Sequence, residues 1–314
     1  MTKIVFLDIS TVGDVPNLKI LEDFGTVTYY QHTTADEVVE RVTNQNIVIT
    51  NKVVIDRKIM QSCPGLKLIC IAATGTNNVD LDAAEELGIV VRNVVDYSTQ
   101  SVAQSTFAGL FYLLHQLKYY DEYVKQGNYS NSLIFTHINH NFWQLAGKTF
   151  GIIGLGNIGK TVAAIAKSFG SHVVYYSTSG KNFNKEYESQ NLDQLLKESD
   201  IVSIHAPLND RTMDLIDYKA LQQMKRNAIL INVGRGKIVN ESDLAQALDE
   251  ELIGAAFIDV MEKEPINASN PLLAVKNPEK LLITPHNTWA SVESRTLLIQ
   301  KTADNISEFL GQPN

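Results

Sequence analysis

Short apolar runs alternate with segments of helical periodicity along most of the chain, and this alternation is typical of α/β proteins. In the first third, strands are predicted for KIVFLDI, TVTYYQH, NIVITN, LKLICIAAT and IVVRNV, with helices DEVVERV, DRKIMQSC and LDAAEELG between some of them. From Lys148 onward, strands are predicted for TFGIIGL, HVVYYS, DIVSIHA, AILINVG, GAAFIDV and LLITPH. Parallel strands are buried on both faces and show such continuous apolar runs, so we expect two parallel α/β units.

Three further segments do not follow that alternation. A long apolar helix is predicted from Ser101 to about Gly127, and an amphipathic helix from about Ser291 to Phe309. The long helix would cross between the two units, and the last helix would return to the first. Residues 128–147 are polar and irregular, so we interpret them as an excursion from the core that could serve as a dimer arm.

The length of 314 residues supports two domains, because a single core rarely grows to that size. A net charge of −8 and a pI near 5.4 argue against nucleic acid as a partner. The first residues reach Asp8 too early for a signal peptide, and the run FAGLFYLLHQL is too short to span a bilayer. We therefore expect no membrane partner. Cys63 and Cys70 are the only cysteines, so we also expect reduced thiols and a cytoplasmic location.

A glycine-rich loop follows the first strand of the second unit. The sequence GIIGLGNIG places Gly154, Gly156 and Gly159 in the G-x-G-x-x-G spacing, between a buried strand and an amphipathic helix. Gly154 would allow the tight turn, and Gly156 would allow a pyrophosphate to approach the backbone. Gly159 would allow the helix to pack on the strand. A purely structural turn is the alternative, but the context favours a dinucleotide at the helix N-terminus.

Chemically useful residues follow the other strands of the second unit. Because ligands of open parallel sheets bind beyond the carboxyl ends of the strands, we expect these residues to converge. They are Ser177, His205-Ala206-Pro207, Gly234-Arg235-Gly236, Asp259 and Thr284-Pro285-His286, with Glu264 shortly after Asp259. Asp259 could contact a nicotinamide carboxamide or simply cap the segment after it. The histidines have no third ligand at metal spacing, so no metal site is expected.

Arg235, Glu264 and His286 together favour carbonyl reduction beside a nicotinamide. An arginine binds a carboxylate through two hydrogen bonds and polarises the adjacent carbonyl. A histidine can protonate the forming alkoxide, and a glutamate bonded to it would stabilise its cationic form. Each of the three could instead be a surface charge or a turn residue, but all three follow strands of one predicted sheet.

Several segments occur in the order known from one protein family. In the second unit these are GIIGLGNIG, HAPLN, LINVGRGKIVNESDLAQAL, FIDVMEKEP and ITPHNTWAS. In the first half they are IVITNKVVID, IAATGTNNVDLDAA and YSTQSVAQSTFAGL. On these segments nearly the whole chain resembles the D-isomer-specific 2-hydroxyacid dehydrogenases, in particular their glycerate dehydrogenase and hydroxypyruvate reductase branch.

The resemblance implies an α/β fold of two domains. Residues 101–287 would form a Rossmann-like dinucleotide-binding domain with a doubly wound parallel sheet. Residues 1–100 and 288–314 would form a smaller, flavodoxin-like substrate-binding domain. The resemblance also implies a cleft that closes before hydride transfer, and a homodimer built around the cofactor domain.

The resemblance also assigns roles to individual residues. It makes Arg235 the substrate-binding arginine, His286 the catalytic acid/base and Glu264 its partner. Backbone amides of Thr74 and Gly75 would bind the substrate carboxylate, and Lys52 would line the cleft, although ATGTNN could also be an ordinary turn. Cofactor contacts are expected from Thr106, Gly154, Gly156, Asn157, Ile158, Gly159, Ser177, Thr178, Ser179, Lys181, His205, Ala206, Pro207, Val233, Gly234 and Asp259.

The implied activity is hydride transfer between NAD(P)H and a small 2-keto acid, such as hydroxypyruvate or glyoxylate, to give a D-2-hydroxy acid. One alternative is an enzyme of the phosphoglycerate dehydrogenase type without a regulatory domain. An alternative from another class is a nucleotide-sensing binding protein like the family's corepressors, although their partner-recruiting extensions are not expected here.

The residue that ends the strand HVVYYS bears on the choice of cofactor. Ser177 occupies a position that is often aspartate, which would bind the ribose 2′-hydroxyl and repel a 2′-phosphate. Ser177, Thr178 and Ser179 instead offer hydroxyl groups, and Lys181 offers a cation. We therefore expect NADP, or both cofactors, rather than NAD alone.

Overall fold

A computed structural model describes residues 1–311 of the chain, which fold as two compact units. Unit 1 comprises Met1–Ser98 and the chain from Ala290 onward, and unit 2 comprises Thr99–Trp289. Each unit is built around its own parallel sheet. Among the helices of residues 1–311, none is long and apolar enough to cross a membrane.

The sheet of unit 1 has five strands in the order β2-β1-β3-β4-β5, and all neighbours are parallel. The strands are β1 (Lys3–Phe6), β2 (Thr26–Tyr29), β3 (Ile47–Thr50), β4 (Leu68–Ile71) and β5 (Val90–Asn93). β3 and β4 are buried along their whole length, as their continuous apolar runs predict. Flavodoxin-like sheets have this strand order, so the predicted class of the smaller unit is confirmed.

Short helices connect the strands of unit 1. They are α1 (Val38–Val42), α2 (Arg57–Gln61) and α3 (Leu81–Glu86), together with the 3-10 helices Ile9–Thr11 and Leu18–Phe24. Asp56 and Asp80 cap α2 and α3, and each carboxylate accepts the backbone N–H three residues later at 2.9 Å. α2 is the first helix after β3 and α3 the first after β4.

The sheet of unit 2 has seven strands in the order β12-β11-β10-β9-β6-β7-β8, again all parallel. The strands are β6 (Thr149–Ile153), β7 (His172–Tyr176), β8 (Glu188–Ser189), β9 (Ile201–Ile204), β10 (Ile229–Asn232), β11 (Ala255–Ile258) and β12 (Leu281–Ile283). The order reverses between β6 and β9, and ligands of such sheets bind at this switch point.

Helices cover both faces of the sheet of unit 2. They are α4 (Thr99–Leu114), α5 (Leu117–Lys125), α6 (Asn157–Ser168), α7 (Leu192–Glu198), α8 (Tyr218–Gln223) and α9 (Glu241–Asp249), with 3-10 helices at Tyr129–Asn131, Gly236–Ile238, Pro271–Ala274 and Pro278–Lys280. Leu230 of β10 packs in the core with α7, α8 and α9, whereas its neighbours Ile229 and Ile231 pack with α4 and α6. The doubly wound Rossmann-like sheet predicted from the sequence is therefore confirmed.

The helix predicted from Ser101 to Gly127 is in fact two helices. His115 and Gln116 separate α4 from α5, and Gln116 has a left-handed φ of 50°. Its side-chain amide donates to the carbonyl of Leu113 at 3.0 Å, near the end of α4. A left-handed residue interrupts the helical hydrogen bonds, and the run of good helix formers on both sides conceals it in the sequence.

The sheet of unit 2 also contains an edge strand that was not predicted. β8 has only two residues, both exposed, and pairs with β7 at Val174 and Tyr175. Because β8 carries no apolar run, the hydrophobic pattern gives no signal for it.

The last helix, α10 (Val292–Leu310), belongs to unit 1, where it packs against β4 and the 3-10 helix Leu18–Phe24. The hydroxyl of Ser291 caps it by accepting the N–H of Ser294 at 3.2 Å. Arg295 donates to the carbonyls of Val12 and Asp14 at 2.9 Å each, and so holds the segment that follows β1.

Candidate active site

The glycine-rich loop of residues 154–159 in unit 2, called the phosphate loop below, has the geometry that its three glycines predict. Gly154 has a φ of 92°, and a Cβ there would lie 2.9 Å from the backbone of Ala206. A Cβ at Gly159 would overlap the carbonyl oxygen of Gly154, whereas nothing lies within 4 Å of a Cβ at Gly156. Space therefore remains beside Gly156, which caps α6 directly before Asn157 and Ile158. The approach of a pyrophosphate to the helix N-terminus requires such space.

The turn after β7 carries the hydroxyl groups predicted to contact the cofactor. The N–H of Gly180 donates to the carbonyl of Ser177 at 3.1 Å, and the N–H of Lys181 to Oγ of Ser179 at 3.2 Å. Thr178 is half-buried between them. Nη1 of Arg211, from the segment after β9, lies 3.5 Å from the carbonyl oxygen of Ser179. Arg211 was not predicted as a site residue, because its approach to this turn depends on how the sheet is assembled.

A cavity of about 170 Å³ lies beside the same turn. Two lysines contribute to its lining, one from the first turns of α6 and one from the turn after β7. The lining residues are Leu155, Lys160, Lys181, Asn182, Phe183 and Asn184. The cavity thus has cations and amides but no carboxylate, which suits an anionic group.

His205 directly follows β9 at the switch point of the sheet. Its Nε2 lies 2.9 Å from Oγ of Ser203, and its Nδ1 is buried without a hydrogen-bond partner among residues 1–311. Burial lowers the pKa of His205 to about 3, so the ring is neutral at physiological pH. Ala206 is buried beside it, and the carbonyl of Pro207 accepts the hydroxyl of Thr212 at 2.7 Å. A buried ring nitrogen without a hydrogen-bond partner lowers the stability of the fold, and a ligand that bonds to it removes this cost.

Arg235 lies in a tight turn after β10. Asn232 is fully buried and holds both sides of this turn, because its amide donates to the carbonyl of Arg235 at 2.9 Å and its oxygen accepts the N–H of Gly234 at 3.1 Å. Val233 is buried between them. Nη1 of Arg235 donates to the carbonyl of Gly234 at 2.8 Å. Asn232 was not predicted as a site residue, although a buried asparagine at a strand end is a recognisable signal.

Gly236 brings the arginine turn against the segment that leads to Glu264. A Cβ at Gly236 would overlap the carbonyl group of Met261 and the nitrogen of Glu262. Only glycine allows this approach, so the backbone after Arg235 and the backbone before Glu264 are in direct contact.

Glu264 and His286 form a hydrogen-bonded pair. Oε2 of Glu264 lies 2.7 Å from Nδ1 of His286, and Oε1 accepts the N–H of Met261 at 3.0 Å. Because Nδ1 is occupied by the carboxylate, Nε2 is the ring atom that can exchange a proton with a substrate. Glu264 and His286 are therefore in direct contact, and the turn of Arg235 lies against the segment that leads to Glu264.

His286 itself has a left-handed φ of 53°, and Asp259 supports this backbone. The carbonyl of Asp259 accepts the N–H of His286 at 2.8 Å. Its buried carboxylate accepts the N–H of Asn287 at 2.9 Å and the hydroxyls of Thr284 and Thr288 at 2.6 and 2.5 Å. Asp259 thus caps the segment that carries the histidine, which is the alternative role that the sequence left open.

The remaining predicted residues lie on both units. In unit 2, Thr106 is fully buried in α4, where its hydroxyl donates to the carbonyl of Val102 at 2.8 Å. In unit 1, Lys52 follows β3, and Thr74 and Gly75 follow β4. The hydroxyl of Thr74 donates to the carbonyl of Val94 at 3.0 Å, which orients the turn. Within residues 1–311, no group of three His, Cys, Asp or Glu side chains could hold a metal ion.

Comparison with known proteins shows which sequences the chain resembles. The profile "D-isomer specific 2-hydroxyacid dehydrogenase, NAD binding domain" matches residues 107–288. A Haemophilus influenzae protein that carries the name 2-hydroxyacid dehydrogenase is 41% identical over 99% of this chain and 98% of its own length. A hydroxypyruvate reductase from Blautia hydrogenotrophica is 35% identical, with 99% of this chain and 98% of that protein covered.

Solved structures show the same fold. An acyclic imino acid reductase in complex with NADPH and D-arginine has a TM-score of 0.88 and 27% identity, with 99% of this chain and 97% of that chain covered. The D-lactate dehydrogenase from Aquifex aeolicus, complexed with NAD and lactic acid, has a TM-score of 0.84 and 26% identity, with 98% and 95% covered. The chain is therefore similar over its whole length to proteins solved with either nicotinamide cofactor.

Proposed function

We propose, because the chain belongs to the D-isomer specific 2-hydroxyacid dehydrogenase family, that it reduces hydroxypyruvate and glyoxylate to the D-2-hydroxy acids. Family membership makes it an NAD(P)-dependent oxidoreductase that interconverts 2-keto acids and D-2-hydroxy acids. The observation that carries the proposal is the contact of Glu264 with His286, next to the turn that holds Arg235. The similarity to a hydroxypyruvate reductase supports the choice of substrate.

Three residues of unit 2 have different roles in the proposed reaction. A bound reduced nicotinamide supplies the hydride to C2 of the keto acid. Arg235 pairs with the substrate carboxylate and polarises the adjacent carbonyl, so negative charge develops on the carbonyl oxygen beside a cation. Nε2 of His286 donates a proton to that oxygen, and Glu264 stabilises the protonated ring before the transfer. In the direction of oxidation, the same nitrogen removes the hydroxyl proton.

Each unit is assigned one part of the binding. We assign residues 101–287 to the cofactor, because the phosphate loop and the strand ends at Ser177 and His205 lie there. The unpaired Nδ1 of His205 and the open space at Gly156 fit a bound dinucleotide. We assign residues 1–100 and 288–314 to the substrate, with the carboxylate held by the backbone of Thr74 and Gly75 and by Lys52.

A panel of 2-keto acids tests this function directly. Initial rates are measured for hydroxypyruvate, glyoxylate, pyruvate, 2-ketoisocaproate and 3-phosphohydroxypyruvate, each with NADH and with NADPH. The proposal predicts the highest kcat/KM for hydroxypyruvate or glyoxylate. A preference for 3-phosphohydroxypyruvate would replace it by a phosphoglycerate dehydrogenase activity, and no turnover with any of the five would contradict it.

For the cofactor, we propose a preference for NADP(H), or the use of both cofactors. Support comes from the turn of Ser177, Thr178 and Ser179, which has no carboxylate to repel a 2′-phosphate. Three cations border that turn. Lys160 and Lys181 line the adjacent cavity of about 170 Å³, and Nη1 of Arg211 lies 3.5 Å from the carbonyl oxygen of Ser179. A phosphate in this cavity would gain charge-assisted hydrogen bonds from both lysines.

Lysine substitutions test the cofactor proposal. Lys181→Met and Lys160→Met are expected to lower kcat/KM for NADPH about tenfold, with little change for NADH, because only NADPH carries the 2′-phosphate. Lys185→Met is the matched control, since Lys185 is an exposed lysine of the same loop that does not line the cavity. A wild-type enzyme with strong NADH preference would refute the proposal.

We further propose that the chain forms a homodimer through residues 128–142 of the arm 128–147 that the sequence predicts, because Leu145 near the end of that arm is buried. Leu133, Phe135 and Ile138 in this segment are each at least 78% exposed, and such a cluster is unfavourable in a lone subunit. The segment is ordered against α5, where the ring of Tyr123 stacks on His137 with centroids 3.9 Å apart. A second copy of the chain would bury this apolar surface.

The dimer is tested by sedimentation equilibrium at micromolar concentration. Wild type is expected to be dimeric, and the double variant Leu133→Ser, Phe135→Ser to shift toward monomer. Phe183→Ser is the control, because Phe183 is 79% exposed but lies outside the segment. A monomeric wild type would contradict the proposal.

A cytoplasmic location is proposed from the cysteines. Cys63 and Cys70 are both buried free thiols. Burial raises the pKa of Cys70 to about 12, which keeps it protonated and unreactive. Unpaired thiols are typical of reducing compartments, and cell fractionation with detection of the protein tests the assignment.

A further inference from the structure

Three successive backbone N–H groups point at one buried carboxylate at the carboxyl edge of the sheet of unit 1. Asp8 follows β1 and is only 4% exposed. Its carboxylate accepts the N–H of Asn51 at 2.9 Å, of Lys52 at 2.7 Å and of Val53 at 3.3 Å. Successive N–H groups that converge in this way form a nest for an anion, and here the chain supplies the anion itself.

Burial of the Asp8 carboxylate costs free energy of desolvation, and hydrogen bonds from the turn at residues 51–53 offset that cost. Burial raises the pKa of Asp8, whereas the three backbone hydrogen bonds and the nearby ammonium of Lys52 lower it. If the negative charge were removed by Asp8→Asn, one of the two carboxylate oxygens would become an NH2 group that cannot accept, so the three N–H donors would share a single uncharged oxygen. The conformation of the turn at Lys52 therefore depends on a residue that is 44 positions away in the sequence.

The turn is also held from its other side. The side-chain amide of Asn78 donates to the carbonyl of Val53 at 3.0 Å, and Asn78 is itself nearly buried. Asn78 belongs to the segment after β4 that also contains Thr74 and Gly75. The two substrate-binding turns assigned to unit 1 are thus joined to each other by Asn78, and to the first strand by Asp8.

We propose that Asp8 is a positioning residue for substrate binding, which acts by fixing the turn and the side-chain direction of Lys52. This inference rests on the proposed function, because it takes Lys52 to be a contact of the keto acid. Asp8 does not touch the substrate in this account. It holds the backbone from which Lys52 extends, and a turn held by three hydrogen bonds keeps its geometry when the substrate binds.

A double-mutant cycle tests the proposal with hydroxypyruvate as the varied substrate. Asp8→Asn and Lys52→Met are each expected to raise KM about tenfold or more with a smaller change in kcat. The double variant is expected to have the same KM as Lys52→Met alone, because Asp8 acts through Lys52. The dissociation constant of the reduced cofactor should stay unchanged, since the cofactor residues lie in unit 2.

Asp56→Asn is the matched control, because Asp56 also accepts a backbone N–H in unit 1 and asparagine caps a helix equally well. If Asp8→Asn is insoluble, the cycle is run with Asp8→Ser, which keeps a small neutral acceptor. Multiplying effects in the double variant, or an unchanged KM in either single variant, would overturn the inference. A wild type that reduces no keto acid would instead show that the proposed function is wrong.

Discussion

Oε2 of Glu264 lies 2.7 Å from Nδ1 of His286, while Oε1 of the same carboxylate accepts the N–H of Met261. The backbone N–H of Met261 therefore orients the Glu264 carboxylate, and this carboxylate orients the imidazole ring of His286. His286 is held in a left-handed conformation by the backbone and side chain of Asp259. Two carboxylates from one loop thus set the ring and the backbone of the proposed catalytic acid.

Glu264→Gln should lower kcat by tenfold to about a hundredfold. The amide retains a hydrogen bond to Nδ1 but carries no charge, so the protonated ring of His286 loses its stabilising partner. Initial rates of hydroxypyruvate reduction across pH 5–9 measure the loss and any shift of the pH profile. Glu262→Gln is the control, because Glu262 is an exposed neighbour that pairs with Lys237. Equal rates for Glu264→Gln and wild type would remove Glu264 from the mechanism.

Gly236→Ala should impair both stability and turnover. The new Cβ overlaps the carbonyl group of Met261, so the arginine turn and the glutamate segment must move apart. We expect the free energy of unfolding to fall by about 1–3 kcal/mol and kcat/KM to fall at least tenfold. Urea unfolding and steady-state kinetics measure the two effects.

Gly65→Ala is the control for this substitution, because a Cβ there would meet its nearest neighbour at an ordinary contact of 3.4 Å. It should leave both quantities within error of wild type. If Gly236→Ala also kept wild-type kcat/KM, the contact between the two loops would have no role in placing Arg235.

His205 should make unit 2 less stable at acid pH. The pKa of the folded ring is lowered to about 3 by burial, whereas an unfolded histidine titrates near 6.5. The stability contributed by the neutral ring is therefore fully present above pH 6.5 and is lost as the pH falls toward 3. The free energy of unfolding changes by at most about 1.4 kcal/mol per pH unit for this one group. His205→Gln should lack this change between pH 6.5 and 5.

Tryptophan fluorescence during urea unfolding measures this dependence, because both tryptophans, Trp143 and Trp289, belong to unit 2. His172→Gln serves as the control, since His172 is exposed beside Glu188. A difference between wild type and His205→Gln that does not change with pH would show that the histidine is not buried as a neutral ring.

Much of the proposed site of unit 2 could be predicted from the sequence. Each of Arg235, Glu264 and His286 follows a strand with a clear apolar run, and parallel strands deliver their carboxyl ends to one edge of a sheet. The signal of the three glycines in the phosphate loop is also local. Their spacing alone specifies a tight turn, open space for a pyrophosphate and a close contact between helix and strand. Both kinds of signal lie within a few neighbouring residues, so no knowledge of tertiary contacts is needed.

The parts that the sequence did not reveal depend on contacts between distant residues. Asp8 and the turn at Lys52 are 44 residues apart, and Arg211 reaches Ser179 only because β7 and β9 flank β6. The break at Gln116 and the strand β8 were missed for the opposite reason. Neither changes the local hydrophobic pattern, so periodicity cannot detect them.

The most direct test of the central claim is the reduction of hydroxypyruvate by wild type, Arg235→Ala and His286→Ala. Product chirality is determined together with kcat/KM. The account predicts that wild type forms D-glycerate, and that each variant loses about a hundredfold or more in kcat/KM, because one loses the carboxylate-binding cation and the other the proton donor. Wild-type turnover in both variants, or L-glycerate as the product, would contradict it.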